Sequence, residues 1–284
     1  MRLRAATLLV VWPLLAASPA GLAEARHLYQ LTDYGASLKI LEAIDSKGAE
    51  VFELIGRNYY MQGEFKKATE VLEKAAAADP ADSNCELWLG RAFGRRAETA
   101  SPLAAPSNAN KARQHFEKAV QLNPRNVDAL SDLFEYYVQA PGFMGGGIDK
   151  ATGVADRLAS IDPVEGHSAQ ARLAEARKQL GIAEEHLKRA AEMAPKQVGR
   201  LIELARFLAR HGRYQESDLS FSRAEIVAPN SPQFIYARAD TYIEQHRNLA
   251  VARALLKRYL ATQLTPDDPS RADAEKLLKK ASGG

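Results

Sequence analysis

Residues 50–80 read EVFELIGRNYYMQGEFKKATEVLEKAAAADP. Phe52, Ile55, Gly56 and Tyr59 fall on one face of a helix. Gly63 interrupts that helix and Phe65 follows. A second helix carries Ala68, Leu72 and Ala75 before Pro80 stops it. Two helices this short, with an apolar stripe this wide, cannot hide it by folding only on each other. The unit needs neighbours, so what matters is whether it recurs.

It recurs along the chain. A third hairpin opens at Ser83, a residue suited to an N-cap. It repeats the pattern with Leu89, Gly90 and Phe93, then Ala112, Phe116 and Ala119, and closes at Pro124. The fourth starts near Asn126 with Leu130, Leu133 and Tyr137, continues with Ala151 and Leu158, and closes at Pro163. The fifth, His167 to Pro195, is alanine-rich: Ala171, Ala174, Ala183, Leu187 and Ala190. The sixth has Leu201, Leu204, Ala205, Leu208, Gly212, Tyr214, Phe221, Ala224 and Pro229. The seventh begins with Ser231 as cap and Pro232 in the first turn, followed by Ile235, Ala239, Tyr242, Ala252 and Leu256. A shortened hairpin over Arg26–Asp45, with Leu28, Leu31, Tyr34, Leu38, Leu41 and Ile44, precedes them as an N-terminal cap. A charged helix over Pro269–Lys280, with Ala272, Leu277 and Leu278, follows as a C-terminal cap.

The order large-x-x-Leu-Gly-x-x-Tyr, then Ala-x-x-x-Phe, then Pro resembles the tetratricopeptide repeat, a helical hairpin of about 34 residues. Gly56 and Ala68 are small where the two helices of a hairpin approach. Phe52, Tyr59 and Leu72 fill the space between hairpins. The resemblance covers nearly all of residues 26–284. It implies an all-α, right-handed superhelical solenoid of about seven hairpins plus a capping helix. It also implies a non-catalytic protein-binding scaffold without a cofactor or metal, taking an extended peptide or a helix in its concave groove.

The closing prolines Pro80, Pro124, Pro163, Pro195 and Pro229 are spaced 44, 39, 32 and 34 residues apart. The two long intervals place excess residues between the first and second helices of the third and fourth hairpins. Ala97–Asn110, AETASPLAAPSNAN, is expected to be a flexible or extended loop. Ala140–Gly147, APGFMGGG, is a glycine turn carrying Phe143 and Met144, which are expected to tuck back onto the solenoid. Equivalent turns lie side by side in a stack, so the two insertions are expected to form one protruding feature.

Composition narrows the function classes. Of 284 residues, 46% are hydrophobic and 26% charged, and the formal net charge is +3. That is ordinary for a globular protein and too weak for bulk-charge recognition of nucleic acid. One cysteine, Cys85, excludes an internal disulfide framework. Met1–Arg4 carries two arginines, Ala5–Ala17 is an apolar run, and small residues follow. This order reads as a signal peptide over residues 1–25, with possible cleavage after Ala20 or, preferred, after Ala25. The mature chain is then expected to be exported, periplasmic or secreted, with no membrane span.

Several motifs fail as chemistry. Gly145–Gly147 is followed by Ile148 and Asp149, not the Lys and Ser/Thr of a phosphate loop. Gly166-His167-Ser168 lacks the second glycine of a nucleophile elbow, since Gln170 stands there. The six histidines never pair at a ligand spacing on one helix. Cys85 stands in the first turn of a helix, where a thiol can be somewhat activated, but a bland semi-buried thiol is the expectation. The resemblance places the first helix of each hairpin on the groove. The candidate partner-binding residues are then Glu53, Arg57, Tyr60 and Met61; Arg91 and Arg95; Glu135 and Gln139; Arg206 and Arg210; and Tyr236 and Asp240. Arg57 and Arg91 hold equivalent positions and are expected to lie close enough to share an acidic group. The family's clamp for acidic chaperone tails is not implied, because Arg57 and Glu53 stand where Asn and Lys are needed. Two other readings stay open: a small-molecule or enzyme-accessory binder using the inserted loops, and a self-associating structural repeat protein.

Overall fold

The computed structural model describes residues 19–283, so the apolar leader over Ala5–Ala17 lies outside the described residues. The helices pair into seven hairpins and a cap: α1 (Pro19–Gln30) with α2 (Tyr34–Glu42), α3 (Ala49–Met61) with α4 (Phe65–Ala78), α5 (Ser83–Thr99) with α6 (Ala105–Leu122), and α7 (Val127–Gln139) with α8 (Ile148–Ile161). Then come α9 (Pro163–Ala176) with α10 (Leu180–Met193), α11 (Val198–Arg210) with α12 (Tyr214–Val227), α13 (Pro232–Glu244) with α14 (Leu249–Leu260), and α15 (Arg271–Ala281). There is no strand among the described residues, and no helix among them is long and apolar enough to cross a membrane.

The small residues do the work expected of them. A Cβ at Gly56 would overlap the Leu72 side chain, and one at Gly90 would come within 2.6 Å of the Phe116 ring. Each hairpin is therefore a tight pair with large residues left over for its neighbours. First helices pack on one another from hairpin to hairpin, α9 and α11 excepted, while second helices hardly meet. The stack therefore curves with the first helices inside, a right-handed solenoid. It curls far enough for its ends to meet: Gln263 Nε2 donates to the Leu31 carbonyl at 3.4 Å.

Several boundaries differ from expectation. α1 begins at Pro19, ahead of Arg26, and Ala25 is fully buried, its carbonyl accepting from Ser37 Oγ at 2.9 Å. Cleavage after Ala25 would remove half of α1; cleavage after Ala20 leaves most of it. Asp82, not Ser83, caps α5, its carboxylate accepting from Asn84 N at 2.7 Å, while the Ser83 hydroxyl donates to Ala119 O. Pro163 opens α9 in place of closing the fourth hairpin, with Asp162 as cap.

The largest correction is the Ala97–Asn110 insertion. It is not a loop: α5 runs on to Thr99, α6 starts at Ala105, and only 100–104 is non-helical. Alanine is the best helix former, and Pro106 sits in the first turn of α6, where its missing N–H costs nothing. The extra residues lengthen both helices, so this hairpin projects past its neighbours.

A feature invisible in the repeat pattern sets the turns. Thr32, Gly63, Lys178, Gly212 and His246 all sit at positive φ between 50° and 78° in the connection from first to second helix. Only two of these five positions carry the glycine that such backbone favours.

Candidate functional site

Counting back six residues from each left-handed turn residue lands on Arg26, Arg57, Arg172, Arg206 and Asp240. Arg91 and Glu135 hold the same place in the two hairpins with insertions. These side chains form a row along the inner helices. The structure shows that the row is almost entirely neutralised within the chain. Arg26 pairs with Glu50, Arg57 with Glu53 at 3.4 Å, and Arg91 with Asp132 at 2.5 Å. Arg172 reaches Glu135 at 3.6 Å, and Arg206 pairs with Asp240 at 3.1 Å.

Arg57 and Arg91 do come together, though not around a shared carboxylate. What they share is the Trp88 ring, with guanidinium carbons 4.6 and 4.9 Å from its centroid. Arg57 also lies 4.9 Å from the Tyr29 ring, and Tyr60 meets Trp88 edge-on at 5.5 Å. The result is a ladder of aromatic rings and guanidinium planes. Burial pushes the Glu53 carboxyl above its ordinary range, and the Arg57 charge partly opposes this. Arg95 pairs with Glu98 and lies over Phe65, while Gln139 donates to Glu135 at 3.0 Å. Met61 packs against the N-terminal core around Leu38, Leu41 and Leu54, and Tyr236 stacks obliquely on Tyr259 at 5.2 Å.

The groove deepens at α9. The buried face of this helix is built from small residues, and Ala169, Ala171 and Ala174 give it little reach. α9 and α11 barely touch. Polar contacts bridge them instead: Arg200 reaches Glu165 and, at 2.7 Å, the Ser168 hydroxyl, that hydroxyl donates to Glu203 at 2.7 Å, and Arg210 pairs with Glu175 at 3.0 Å. Between α7, α9 and α11 lies a cavity of about 530 Å³. Phe134, Leu158 and Leu187 line its apolar part, and Ser131, Arg172, Arg206 and Arg210 its rim. Arg172 is the least committed arginine there. It is 40% exposed, and both of its carboxylate contacts, to Glu135 and Glu175, are longer than 3.5 Å.

Sequence reasoning missed Arg172, although the same register that selects Arg57 and Arg206 reaches it once the turn at Lys178 is recognised. It also missed a histidine pair. His167 on α9 and His186 on α10 bring their Nδ1 atoms to 2.9 Å, one donating and one accepting. Pairing across two helices leaves no spacing signal. Burial, then the neighbouring His186 and Arg189, holds the His167 pKa below its ordinary 6.5. The unfolded chain therefore binds this proton more readily than the folded one, and the stabilisation is complete above pH 6.5. Stability is expected to fall as the pH drops below that value. In urea melts between pH 7.5 and 5, His167→Gln should show a shallower loss than the parent.

The 141–147 turn is also corrected. Phe143 does not tuck back; it is 88% exposed. Met144 is half-buried and its carbonyl accepts from Tyr136 OH at 2.9 Å. The turn closes on itself through Gly145 N to Gly142 O and Gly147 N to Tyr137 O. Arg113 occupies the space beneath Gly145, leaving Phe143 nothing to pack against. The turn does lie against the lengthened α6, so the two insertions are neighbours.

Cys85 is fully buried, and its thiol donates to Asp82 Oδ2 at 3.4 Å. Burial and the nearby carboxylates push its pKa up, which makes it an inert thiol.

No family model and no curated relative matches the chain by sequence. Solved structures do match in shape. A thermophilic TPR protein from Thermus thermophilus aligns with TM-score 0.54 at 21% identity, covering 70% of this chain and 98% of that one. A tetratricopeptide repeat protein from Parabacteroides merdae aligns with TM-score 0.60 at 12% identity, covering 93% and 98%. A chain of an APC/C hetero-tetramer aligns with TM-score 0.53 at 14% identity, covering 93% of this chain and 49% of that one. With hairpins of matching size, glycine and alanine at the helix contacts, and first helices lining the inner face, the chain has the tetratricopeptide-repeat fold.

Proposed function

We propose that the chain is a non-catalytic interaction scaffold of the cell envelope that holds an extended peptide or a partner's helix on its concave face. Tetratricopeptide-repeat folds generally serve protein–protein interaction and are generally non-catalytic. The carrying observation is the depression beside α9. It joins an apolar floor to a rim of arginines and glutamates, the combination that fixes a peptide by one buried side chain and a few polar contacts. Arg57 and Arg91 are poor handles for a partner's carboxylate, since both are stacked and paired inside the chain. Arg172 is the better one, because its weak internal contacts exchange at little cost for a partner carboxylate. The export expected from residues 1–25 would put the partner outside the cytoplasm.

The test is capture from an exported fraction, read by mass spectrometry. Ser131→Trp fills the depression and Arg172→Glu reverses its rim, and both positions are partly exposed, so the fold survives. Each is expected to lower partner recovery about tenfold or more, the loss typical of a hot-spot side chain. Recovery of the same partners in the same amounts by both variants would remove the groove from consideration.

A further inference from the structure

Leu103 and Phe143 are the two most exposed large apolar side chains of the described residues, at 95% and 88%. They occupy adjacent connections, between α5 and α6 and between α7 and α8. The glycine turn carrying Phe143 packs on α6, with Gly145 set against Arg113, and α6 begins just beyond Leu103. α5 and α6 have 17 and 18 residues, where α3 and α4 have 13 and 14. Leu103 therefore rides on a hairpin that stands about one helical turn above the second, and Phe143 flanks that hairpin from the α7–α8 turn packed on α6.

Cations without a carboxylate partner surround them. Lys66, Lys111 and Lys150 are exposed, and no carboxylate lies within 4.0 Å of them among the described residues. Arg96 bonds the Thr69 hydroxyl at 2.8 Å, Arg96 and Lys111 lie over the Phe93 ring, and Lys150 donates to the Gly145 carbonyl at 2.9 Å, so their partners are neutral. Lys66 belongs to this surface because the turn after α3 and the tip of α5 and α6 line one shallow depression. The nearby Glu64 and Glu98 are already paired with Lys67 and Arg95, while Glu70 and Asp149 are exposed without an ion pair among the described residues, so the four cations outnumber the free carboxylates.

We propose that this tip docks on an anionic lipid surface. Leu103 and Phe143 enter the acyl boundary, and Lys66, Arg96, Lys111 and Lys150 meet headgroup phosphates. The depression this surface includes is shallow and open and encloses no pocket for a small molecule. Two projecting side chains are far short of the roughly 1,200 Å² that a stable protein interface buries. A bilayer accepts isolated apolar wedges, and each flanking cation adds attraction to anionic headgroups. This surface is separate from the groove beside α9, and the proposal does not depend on what the groove binds.

Flotation of the protein with vesicles tests it, comparing phosphatidylglycerol and phosphatidylcholine in equal parts against phosphatidylcholine alone. Retention is expected on the mixed vesicles, absent on the neutral ones and weakened by salt. Leu103→Ser with Phe143→Ser, and separately Lys66→Glu with Lys111→Glu, should each lower it about tenfold or more. All four side chains are exposed, so thermal melts should match the parent. Lys279→Glu with Lys280→Glu, on α15, should leave retention unchanged. The proposal fails if the parent ignores mixed vesicles, or if the apolar change leaves retention intact. An equal loss from the α15 change would reduce the effect to bulk charge and also overturn it.

Discussion

Phe93→Ala is expected to lower the free energy of unfolding by about 3–5 kcal/mol, the range for a fully buried phenylalanine. Phe93 is 1% exposed at the contact between α5 and α6. It packs within the largest core cluster, which runs from Ala68 to Leu173. Its ring is stacked parallel to His115 at 5.4 Å and carries Arg96 and Lys111 at 5.4 and 5.0 Å from its centroid. Truncation leaves a void and removes the surface on which both cations rest. The void cannot close easily, because Gly90 and Phe116 already hold the two helices at their closest approach. Urea unfolding followed by circular dichroism reads the effect as a lower midpoint at similar slope. A loss below about 1 kcal/mol would mean that the hairpin collapses around the gap.

That residue also shows what kind of information the sequence carries. The hairpins were legible because each needs a small residue where its helices touch and large ones where it meets its neighbour. Gly56 against Leu72 and Gly90 against Phe116 satisfy that rule directly. The turns were less legible, because Thr32, Lys178 and His246 adopt left-handed backbone without being glycine. Ala97–Asn110 misled because its prolines and asparagines read as loop, while its alanines extend two helices already held by packing. The groove was legible as a row of positions but not as chemistry. Which carboxylate neutralises which arginine depends on residues one hairpin away, as with Arg91 and Asp132. The depression beside α9 follows from alanines that, read one at a time, look like ordinary core.

Gly166→Val is the second substitution expected to have a large effect, and it bears on both fold and groove. Gly166 is buried in the first turns of α9, and a Cβ there would overlap the backbone and Cβ of Ala159 on α8. The obstacle is main chain, which cannot rotate aside as a side chain would, so α8 and α9 must separate. Overpacking of this kind typically costs 1–3 kcal/mol. The upper end, about 3 kcal/mol, is expected here because valine adds branching on top of the clash. The neighbouring Glu165 and Ser168 hold Arg200 and so tie α9 to α11, which α9 otherwise barely touches. Moving α9 therefore also displaces one wall of the groove cavity. At a temperature where the variant is still folded, the urea midpoint should drop and partner recovery should fall with it. Serine at the same position adds a smaller group but the same Cβ, so it should show most of the loss in stability. If Gly166→Ser melts with the parent, α8 and α9 are not in fixed contact, and the depression is a product of flexible rather than close packing.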